Sequence, residues 1–337
     1  MFKVKVLSKD DVVNVLELEQ VISVVEGVYR AKNSNMTEVW PTVFYDFEPG
    51  RADMDIKSGY LKTEKMFGHK TVTWFGENAN KGLPTLIGML TVFDAQTGKP
   101  LGIMDASYIT GIRTGASGAI GAKYLAKKNS ENLLIIGAGN QSPFQIAATL
   151  KAVPTIKKVQ VASKDYSDAK AFIDMIAEKL EEEFNIDTQG LVFNAVIDLE
   201  QAVKESDVII TVTPSRQPII KKDWIQKGTH ISCIGADMEG KQEIDPEILK
   251  SAVVYVDDFE HCQKVGEIEK ALKQGIISPE DIIGEIGELI LGQKSGREND
   301  DQITVFDATG MALLDIATAK LALKLADEKN LGTVVTI

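Results

Sequence analysis

The sequence contains little cysteine and histidine, and it has no long hydrophobic run. Its 337 residues include two cysteines, Cys233 and Cys262, and three histidines. Two cysteines are too few for a disulfide framework, and they fit the reducing cytoplasm, which is where we expect this protein. The histidines have no metal-ligand spacing, so we expect no bound metal. No apolar run approaches the roughly 18 residues of a membrane span, and the N-terminus shows no signal pattern, so we expect no membrane partner.

Basic residues are outnumbered by acidic ones. The chain has 37 lysines and arginines against 49 aspartates and glutamates, which gives a formal net charge of -12. Binding to a nucleic-acid backbone requires a basic surface, so this balance argues against a nucleic-acid partner. It does not argue against a nucleotide cofactor, because such a small molecule needs only a local site.

The length of the chain suggests two domains, and its patterns separate them. Ser8 and Asp11 form a predicted capping box for one helix, which ends at Asn33-Ser34-Asn35, and five short strand patterns follow between residues 42 and 104. We interpret these strands as an antiparallel sheet with hairpins. From residue 133 onward, strands alternate with helix-length segments, which is typical of a parallel, doubly wound sheet. We therefore predict an α/β fold class, with a Rossmann domain over residues 113–311 and an α+β lobe formed by residues 1–112 with 312–337.

A glycine turn follows the first strand of this predicted parallel sheet. An apolar run ends at Ile136 and passes through Gly137-Ala138-Gly139 into a helix. The first glycine allows a tight turn, and the second lets the backbone approach a pyrophosphate at the helix N-terminus. The third position of the fingerprint is Ser142 and not glycine, so the motif alone is weak, but its place in the alternating pattern supports it. The predicted pyrophosphate site consists of Gly137, Ala138, Gly139, Asn140 and Gln141.

The end of the second Rossmann strand indicates which dinucleotide binds. An acidic side chain there would bind the ribose 2′-hydroxyl of NAD(H), whereas a 2′-phosphate needs cationic or hydroxyl donors. In this chain the strand ends in Ser163-Lys164-Asp165. We predict NADP(H), bound by Ser163 and Lys164. The alternative is NAD(H), with Asp165 in the acidic role.

Eight short segments, distributed over nearly the whole chain, carry a family resemblance. The segments are Gly68-His69-Lys70, Gly82-Leu83-Pro84-Thr85, Thr110-Gly111-Ile112-Arg113-Thr114-Gly115-Ala116, Gly137-Ala138-Gly139-Asn140-Gln141, Thr213-Pro214-Ser215, Gly235-Ala236-Asp237, Gly240-Lys241-Gln242-Glu243-Ile244-Asp245 and Phe306-Asp307-Ala308-Thr309-Gly310. Together they resemble the ornithine cyclodeaminase/μ-crystallin family, and residues 213–245 look especially like its archaeal-type alanine dehydrogenases. The resemblance implies a Rossmann domain, a dimerising α+β lobe, and hydride transfer between nicotinamide and the α-carbon of an amino acid or its imine.

The resemblance implies roles for four residues that contact the substrate. Lys70 and Asp237 match the family's active-site lysine and catalytic aspartate, so we predict that they manage charge and protons. Lys70 either has a pKa lowered into the acid/base range or pairs with a carboxylate, and a lysine at a sheet edge is the alternative without function. Arg113, which we place at the start of a helix, matches the carboxylate-binding arginine. Thr85 matches a threonine that contacts the substrate.

Three further residues are expected beside the cofactor. Thr309 and Gly310 follow the last strand and are predicted to lie near the nicotinamide. Thr213 is predicted to lie near the cofactor ribose. For each of these, an ordinary turn at a strand end is the alternative interpretation.

Lys57 departs from the family pattern. Many family members carry an arginine in the strand after a Trp-Pro-like motif, and the ornithine-cyclising members carry a glutamate in the next strand. In this chain the strand after Trp40-Pro41 has no arginine, and Lys57 falls near the glutamate position. Lys57 either repels a side-chain ammonium, replaces the missing arginine as a carboxylate contact, or points outward to solvent.

The resulting hypothesis is an NAD(P)H-dependent amino-acid dehydrogenase or imine reductase that acts on a small amino acid, 2-oxo acid or cyclic imine. It is expected to be a homodimer through the α+β lobe. The enzymatic alternative is an ornithine or lysine cyclodeaminase that releases ammonia. The alternative of another class is a non-enzymatic NADPH-binding protein, as some members of the family are.

Overall fold

The computed structural model describes all residues from Met1 to Ile337 and divides them into two compact units. Unit 1 comprises Met1–Arg113 and Met311–Ile337, and unit 2 comprises Thr114–Gly310. No helix combines the length and the hydropathy that crossing a bilayer requires.

Unit 1 consists of an eight-stranded sheet and three helices, and the first helical segment is interrupted. The Ser8 side chain accepts a hydrogen bond from the backbone of Asp11 and completes the predicted capping box. The predicted end at Asn33 is confirmed. The prediction of one continuous helix is wrong, because Leu16 and Glu17 have extended backbones and end one helix before the next begins. The elements are β1 (Lys3–Leu7), α1 (Lys9–Val15), α2 (Leu18–Asn33), β2 (Thr37–Val39), β3 (Val43–Glu48), β4 (Ala52–Leu61), β5 (Met66–Phe75), β6 (Leu86–Asp94), β7 (Pro100–Asp105), α10 (Ala312–Glu328) and β16 (Thr333–Thr336).

The sheet of unit 1 is mainly antiparallel. Its order is β16-β1-β7-β6-β5-β4-β2, and β3 also pairs with β4. The five predicted strands, β3 to β7, pair in antiparallel as expected. The sequence interpretation did not predict β1, which pairs with β7 in parallel. Helix α10 packs against β4, β5 and β6. Glycines in the strands permit this close packing: a Cβ at Gly59 would lie 2.9 Å from the Leu313 side chain, and one at Gly68 would lie 3.3 Å from Ile316.

Unit 2 has the predicted Rossmann architecture. Its eight strands are all parallel, in the order β10-β9-β8-β11-β12-β15-β13-β14. The strand order reverses between β8 and β11, and ligands of open α/β sheets bind at such a switch point, beyond the carboxyl ends of the strands. The elements are β8 (Asn132–Ile136), α4 (Ser142–Ala152), β9 (Lys158–Ala162), α5 (Tyr166–Phe184), β10 (Val192–Ala195), α6 (Leu199–Glu205), β11 (Val208–Thr211), β12 (His230–Cys233), β13 (Val253–Val256), α7 (Phe259–Val265), α8 (Glu267–Lys273), β14 (Ile282–Glu285), α9 (Ile286–Ile290) and β15 (Thr304–Asp307).

Two helices differ from the sequence pattern. The pattern predicts a helix from about Ile283 to Gly292, but Ile282–Glu285 is the edge strand β14 and only Ile286–Ile290 is helical. Pairing with β13 determines the structure of this short segment, because tertiary contacts override local preference. Helix α3 (Ser107–Leu125) begins several residues earlier than its apolar repeat suggests, and it contains the boundary between the units.

The glycine contacts give a stability prediction. In Gly68→Ala the new Cβ would lie 2.6 Å from the Thr91 carbonyl oxygen, so the sheet must shift, and we expect the free energy of unfolding to fall by about 1–3 kcal/mol. Gly27→Ala is the matched control, because Gly27 lies on exposed α2 with no atom within 4 Å of its added Cβ. It should raise stability by up to about 1 kcal/mol. Urea denaturation measures both changes, and equal effects would contradict the packing argument.

Candidate active site and cofactor site

The glycine turn at the end of β8 is tightly packed. Gly137 has a φ of 119°, which favours glycine, and a Cβ there would lie 2.8 Å from the Val212 carbonyl oxygen. Ser142, at the third position of the fingerprint, is fully buried, and its Oγ donates a hydrogen bond of 2.7 Å to the Gly137 carbonyl. The serine therefore secures the turn itself, which explains how the motif functions without a third glycine.

A cavity of about 990 Å³ opens beside this turn within unit 2. Its volume lies in the range of small-molecule and cofactor sites. Apolar side chains of α5 and α6 supply much of its wall, which suits a flat nucleobase. The lining residues are Ile136, Gly137, Ala138, Gly139, Ala162, Ser163, Lys164, Asp168, Ala171, Phe172, Met175, Leu199, Val212, Thr213, Pro214, Ser215 and Ile219.

Six of the predicted cofactor residues lie around this cavity, and four do not line it. Asn140 and Gln141 belong to the segment leading into α4, and Gln141 makes no side-chain cap. Thr309 and Gly310 follow β15 and bond to Asp257, at 3.3 Å from Thr309 Oγ1 and 2.7 Å from the Gly310 amide. The six that line the cavity are Gly137, Ala138, Gly139, Ser163, Lys164 and Thr213.

The residues at the end of β9 match the cofactor prediction in part. Ser163 and the exposed Lys164 line the cavity, whereas Asp165 does not and instead precedes α5 as its N-cap residue. Asp168, which the sequence interpretation did not select, also lines the cavity. The donor set of a glycine turn, a hydroxyl and an ammonium fits the phosphates of a dinucleotide.

Lys70 and Arg113 meet at a common carboxylate in unit 1. Lys70 Nζ lies 3.0 Å from Asp315 Oδ1, and Arg113 Nε lies 3.1 Å from the same oxygen. Lys70 also donates to Thr110 Oγ1 at 3.2 Å. All three charged side chains are at least 93% buried. This arrangement excludes the interpretation of Lys70 as a lysine at a sheet edge, since β5 lies between β4 and β6.

Burial and charge set the protonation of this cluster. Burial lowers the pKa of Lys70 to about 8, although the charge of Asp315 opposes the decrease. Burial disfavours the charged form of Asp315, but the neighbouring charges of Arg113 and Lys70 outweigh it and lower the pKa of that carboxyl. The cluster therefore combines a carboxylate whose pKa is lowered with an amine whose pKa is about 8.

Lys57 faces the same side of the sheet as Lys70. The two lysines are direct partners across β4 and β5, and cross-strand partners project to the same face. Lys57 is half-buried, and its charge lowers the pKa of both Lys70 and Asp315. The outward orientation is thus wrong, and the two interpretations in which Lys57 faces the cluster remain.

The position of Arg113 within its helix also differs from the prediction. Helix α3 begins at Ser107, so Arg113 is its seventh residue and lies almost two turns from the N-terminus. The helix dipole acts within the first turn and contributes little there. Asp315, and not the helix end, holds the guanidinium. Thr85 is half-buried and follows a short 3₁₀ helix, Gly76–Lys81, outside this ionic cluster.

Asp237 lies in the loop that follows β12. Its side chain is 48% exposed and pairs with Lys241, whose own side chain is 15% exposed. The position beyond the carboxyl end of a parallel strand is the one that the sequence predicts. The ion pair with Lys241 is a partner that the sequence interpretation missed.

Two buried acids near these predicted residues were also missed. Asp315 is a single acid in the apolar start of α10, between Leu314 and Ile316, and an isolated charge of that kind is a usable sequence signal. Asp257 accepts hydrogen bonds from Thr309 and Gly310. Its sequence signal is weaker than that of Asp315, because an aspartate directly after a strand is common in turns. No group of three or more histidine, cysteine or acidic residues is arranged to hold a metal ion.

Comparisons with known proteins agree with this architecture. The family model of the ornithine cyclodeaminase/mu-crystallin family matches residues 3–330. Alanine dehydrogenase of Archaeoglobus fulgidus is 38% identical over 328 residues, which cover 97% of each chain. The solved structure of an archaeal alanine dehydrogenase dimer with bound NAD superimposes with a TM-score of 0.91, at 37% identity over all of both chains. Delta(1)-pyrroline-2-carboxylate reductase of Thermococcus litoralis, in complex with NADH and L-proline, gives 0.90 at 32% identity over 98% of this chain and 100% of that one.

The titration of Lys70 gives a prediction for the free protein. An unfolded lysine keeps its proton to about 10.5, whereas folded Lys70 releases it near 8. Between these values the unfolded state binds more protons, so Lys70 makes the free energy of unfolding rise with pH. Urea denaturation from pH 7.5 to 10.5 should show that Lys70→Met loses part of this rise. Lys164→Met, at an exposed lysine, is the control and should keep the wild-type slope. Parallel curves for wild type and Lys70→Met would contradict the assignment.

Proposed function

This chain belongs to the ornithine cyclodeaminase/mu-crystallin family, and on that premise we propose that it is a nicotinamide-dependent oxidoreductase of amino acids and imines. The observation that carries the proposal is the buried Lys70–Asp315–Arg113 cluster, in which a lysine with a pKa of about 8 shares a carboxylate with an arginine. A buried lysine with a strongly lowered pKa and specific charged partners is typical of catalytic sites, which favours an enzyme over a protein that only binds a dinucleotide.

Each predicted site residue has a separate role in the proposed reaction. Arg113 uses Nε for Asp315 and directs its terminal nitrogens to the α-carboxylate of the substrate, assisted by Thr85 and Lys57. Lys70 exchanges a proton at Nζ, and Asp237 faces the substrate nitrogen as an acceptor or electrostatic partner. When bound, the nicotinamide supplies or accepts the hydride at the α-carbon. Gly137, Ala138, Gly139, Asn140 and Gln141 would hold its pyrophosphate, Thr213 its ribose, and Thr309 and Gly310 would lie near its ring.

The charge of the cluster bears on the substrate. Lys57 stands directly opposite Lys70, so a second ammonium on a diamino acid would be repelled there. This observation disfavours an ornithine or lysine cyclodeaminase. It favours a small amino acid with a neutral or acidic side chain, or the corresponding 2-oxo acid or cyclic imine. The relatives, an alanine dehydrogenase and a pyrroline-2-carboxylate reductase, act on substrates of this kind.

We also propose a homodimer through the sheet of unit 1. Val43, Tyr45, Ile87 and Met89 are each about half exposed and project from the face of the sheet opposite to Lys70. A contiguous apolar face of this kind marks an interaction surface. The archaeal alanine dehydrogenase relative is a dimer, which supports the same assembly here.

The free, buried thiols Cys233 and Cys262 fit the cytoplasm as the compartment.

Ser163 and Lys164 support NADP(H) as the preferred cofactor, whereas the relatives with NAD or NADH and the presence of Asp168 in the cavity support NAD(H). We retain the prediction of NADP(H), because Lys164 is available for a 2′-phosphate.

Lys164→Ala should then weaken NADP+ binding roughly tenfold or more, through loss of a charge-assisted hydrogen bond, and leave NAD+ affinity unchanged. Isothermal titration with each nucleotide measures this, with Lys170→Ala on the exposed surface of α5 as the control. Tighter binding of NAD+ than NADP+ by the wild type would show that the preference is wrong.

The enzymatic proposal is tested by nicotinamide absorbance. Wild-type protein mixed with NADPH or NADH, ammonia and a panel of 2-oxo acids and cyclic imines should consume the reduced cofactor. Lys70→Ala and Asp237→Ala should each lower kcat by about 10²- to 10⁴-fold, because each removes a group that handles a proton, and should change cofactor affinity little. The surface variants Lys62→Ala and Asp174→Ala are the controls and should keep wild-type rates.

Other outcomes would reassign the function. Ammonia release from ornithine or lysine with catalytic cofactor would identify a cyclodeaminase. Tight NADPH binding without turnover of any substrate would identify a binding protein. Near-normal kcat in Lys70→Ala or Asp237→Ala would remove that residue from the mechanism.

A further inference from the structure

Glu243 is a fully buried carboxylate that accepts four hydrogen bonds in unit 2. Oε1 accepts from the Thr213 amide at 2.6 Å and from Thr213 Oγ1 at 2.7 Å. Oε2 accepts from Thr211 Oγ1 at 2.7 Å and from the Gly235 amide at 2.9 Å. Both oxygens are therefore fully used, and all four donors are N–H or O–H groups of two neighbouring strand ends.

These two strand ends lead to residues of the proposed function. Thr213 follows β11 and lines the cofactor cavity, and Gly235 follows β12 two residues before Asp237. The backbone at Gly235 is packed around the carboxylate, since a Cβ there would lie 2.7 Å from the Glu243 carboxyl carbon and 2.3 Å from the Thr213 carbonyl oxygen. Hydrogen bonds to Glu243 thus connect two loops. One is the cofactor loop, which follows β11 and contains Thr213, and the other is the Asp237 loop, which follows β12 and contains Gly235 and Asp237.

The setting of Glu243 is costly for a carboxylate. No lysine, arginine or histidine forms an ion pair with it, and two further buried acids, Glu267 and Asp307, lie in the same region. Glu267 accepts hydrogen bonds from the amides of Glu243 and Ile244. Burial raises the pKa of Asp307 to about 8 and that of Glu267 well above its usual range. Burial also raises the pKa of Glu243, and its hydrogen bonds with Thr211, Thr213 and Gly235 oppose this increase.

A buried carboxyl group without a cation is costly to desolvate, and an apolar side chain of similar volume would stabilise the fold as well or better. A carboxyl group is retained at this cost, and it accepts hydrogen bonds from Thr211 at the end of β11, from Thr213 and from Gly235. Its position is explained by what it does for the loops that follow β11 and β12. We propose that Glu243 is a positioning residue that fixes Thr213 and Gly235, and through them the cofactor loop and the Asp237 loop. This inference rests on the proposed function for its catalytic consequence but not for its effect on cofactor binding.

Glu243→Gln is the primary test, because an amide of the same shape offers only one acceptor and must turn its NH₂ group toward two donors. We expect affinity for NADPH and NADH to fall roughly tenfold or more, and kcat to fall roughly 10- to 100-fold. In the free protein, hydrogen exchange at the Thr213 and Gly235 amides should accelerate, and the thermal midpoint should also fall, because two buried donors lose their acceptor. A purely structural role would lower the midpoint and leave the nucleotide affinity of the folded protein unchanged.

Asp207→Asn is the matched control. Asp207 is also a carboxylate that accepts backbone amides of this sheet, those of Glu131 and Asn132, but at the opposite ends of the strands. The same carboxylate-to-amide change there should lower stability and leave nucleotide affinity intact.

Thr211→Val provides a second variant in case Glu243→Gln does not fold. It removes one of the four donors from a buried residue that does not line the cavity, and it should weaken nucleotide binding by about fivefold. Thr211→Ser keeps the hydroxyl and should restore affinity. Unchanged affinity in Glu243→Gln, unchanged exchange at the two amides, or equal effects of Thr211→Val and Thr211→Ser would overturn the proposal. If the wild type turns over no substrate, the enzymatic proposal fails, whereas the affinity and exchange measurements still decide the role of Glu243.

Discussion

The burial of charge is the constraint on which this structure depends. In unit 1, one Asp315 oxygen contacts both Lys70 and Arg113, so a single carboxylate compensates two cations that water does not reach. Removing that carboxylate would leave both cations uncompensated, which typically costs several kcal/mol. The packing of α10 on the sheet, with glycines at the contact points, keeps Asp315 at the position where it meets them.

Unit 2 meets the same constraint by a different route. Glu243 and Asp257 are buried without cations and are satisfied by backbone amides and hydroxyls at the carboxyl ends of the parallel strands. Parallel strands place unpaired amides at that edge of the sheet, and a carboxylate beneath them accepts several at once. The edge at which open α/β sheets bind ligands is therefore also the edge where hydrogen bonds to buried carboxyl groups connect the loops.

Most of the fold follows from local patterns, whereas the ionic contacts do not. The alternation after Leu133 predicts the Rossmann sheet, and the structure confirms it. The break between α1 and α2 and the strand β14 are set by tertiary packing, which a repeat of apolar residues does not encode. Lys70 and Arg113 can be selected from motifs, but their partner Asp315 lies more than 200 residues later, and the orientation of Lys57 becomes evident only from its register with Lys70. The roles of these residues stay predictions.

The register of Lys57 with Lys70 connects substrate binding to protonation. Two lysines directly opposite each other in an antiparallel pair repel one another, and this repulsion is part of what lowers the pKa of Lys70. An anionic substrate placed between these cations would relieve the repulsion and favour the charged form of Lys70. By linkage, protonation of Lys70 must then strengthen binding of that anion to the same extent. On the proposed function, binding of the substrate carboxylate would therefore increase the fraction of Lys70 that is protonated.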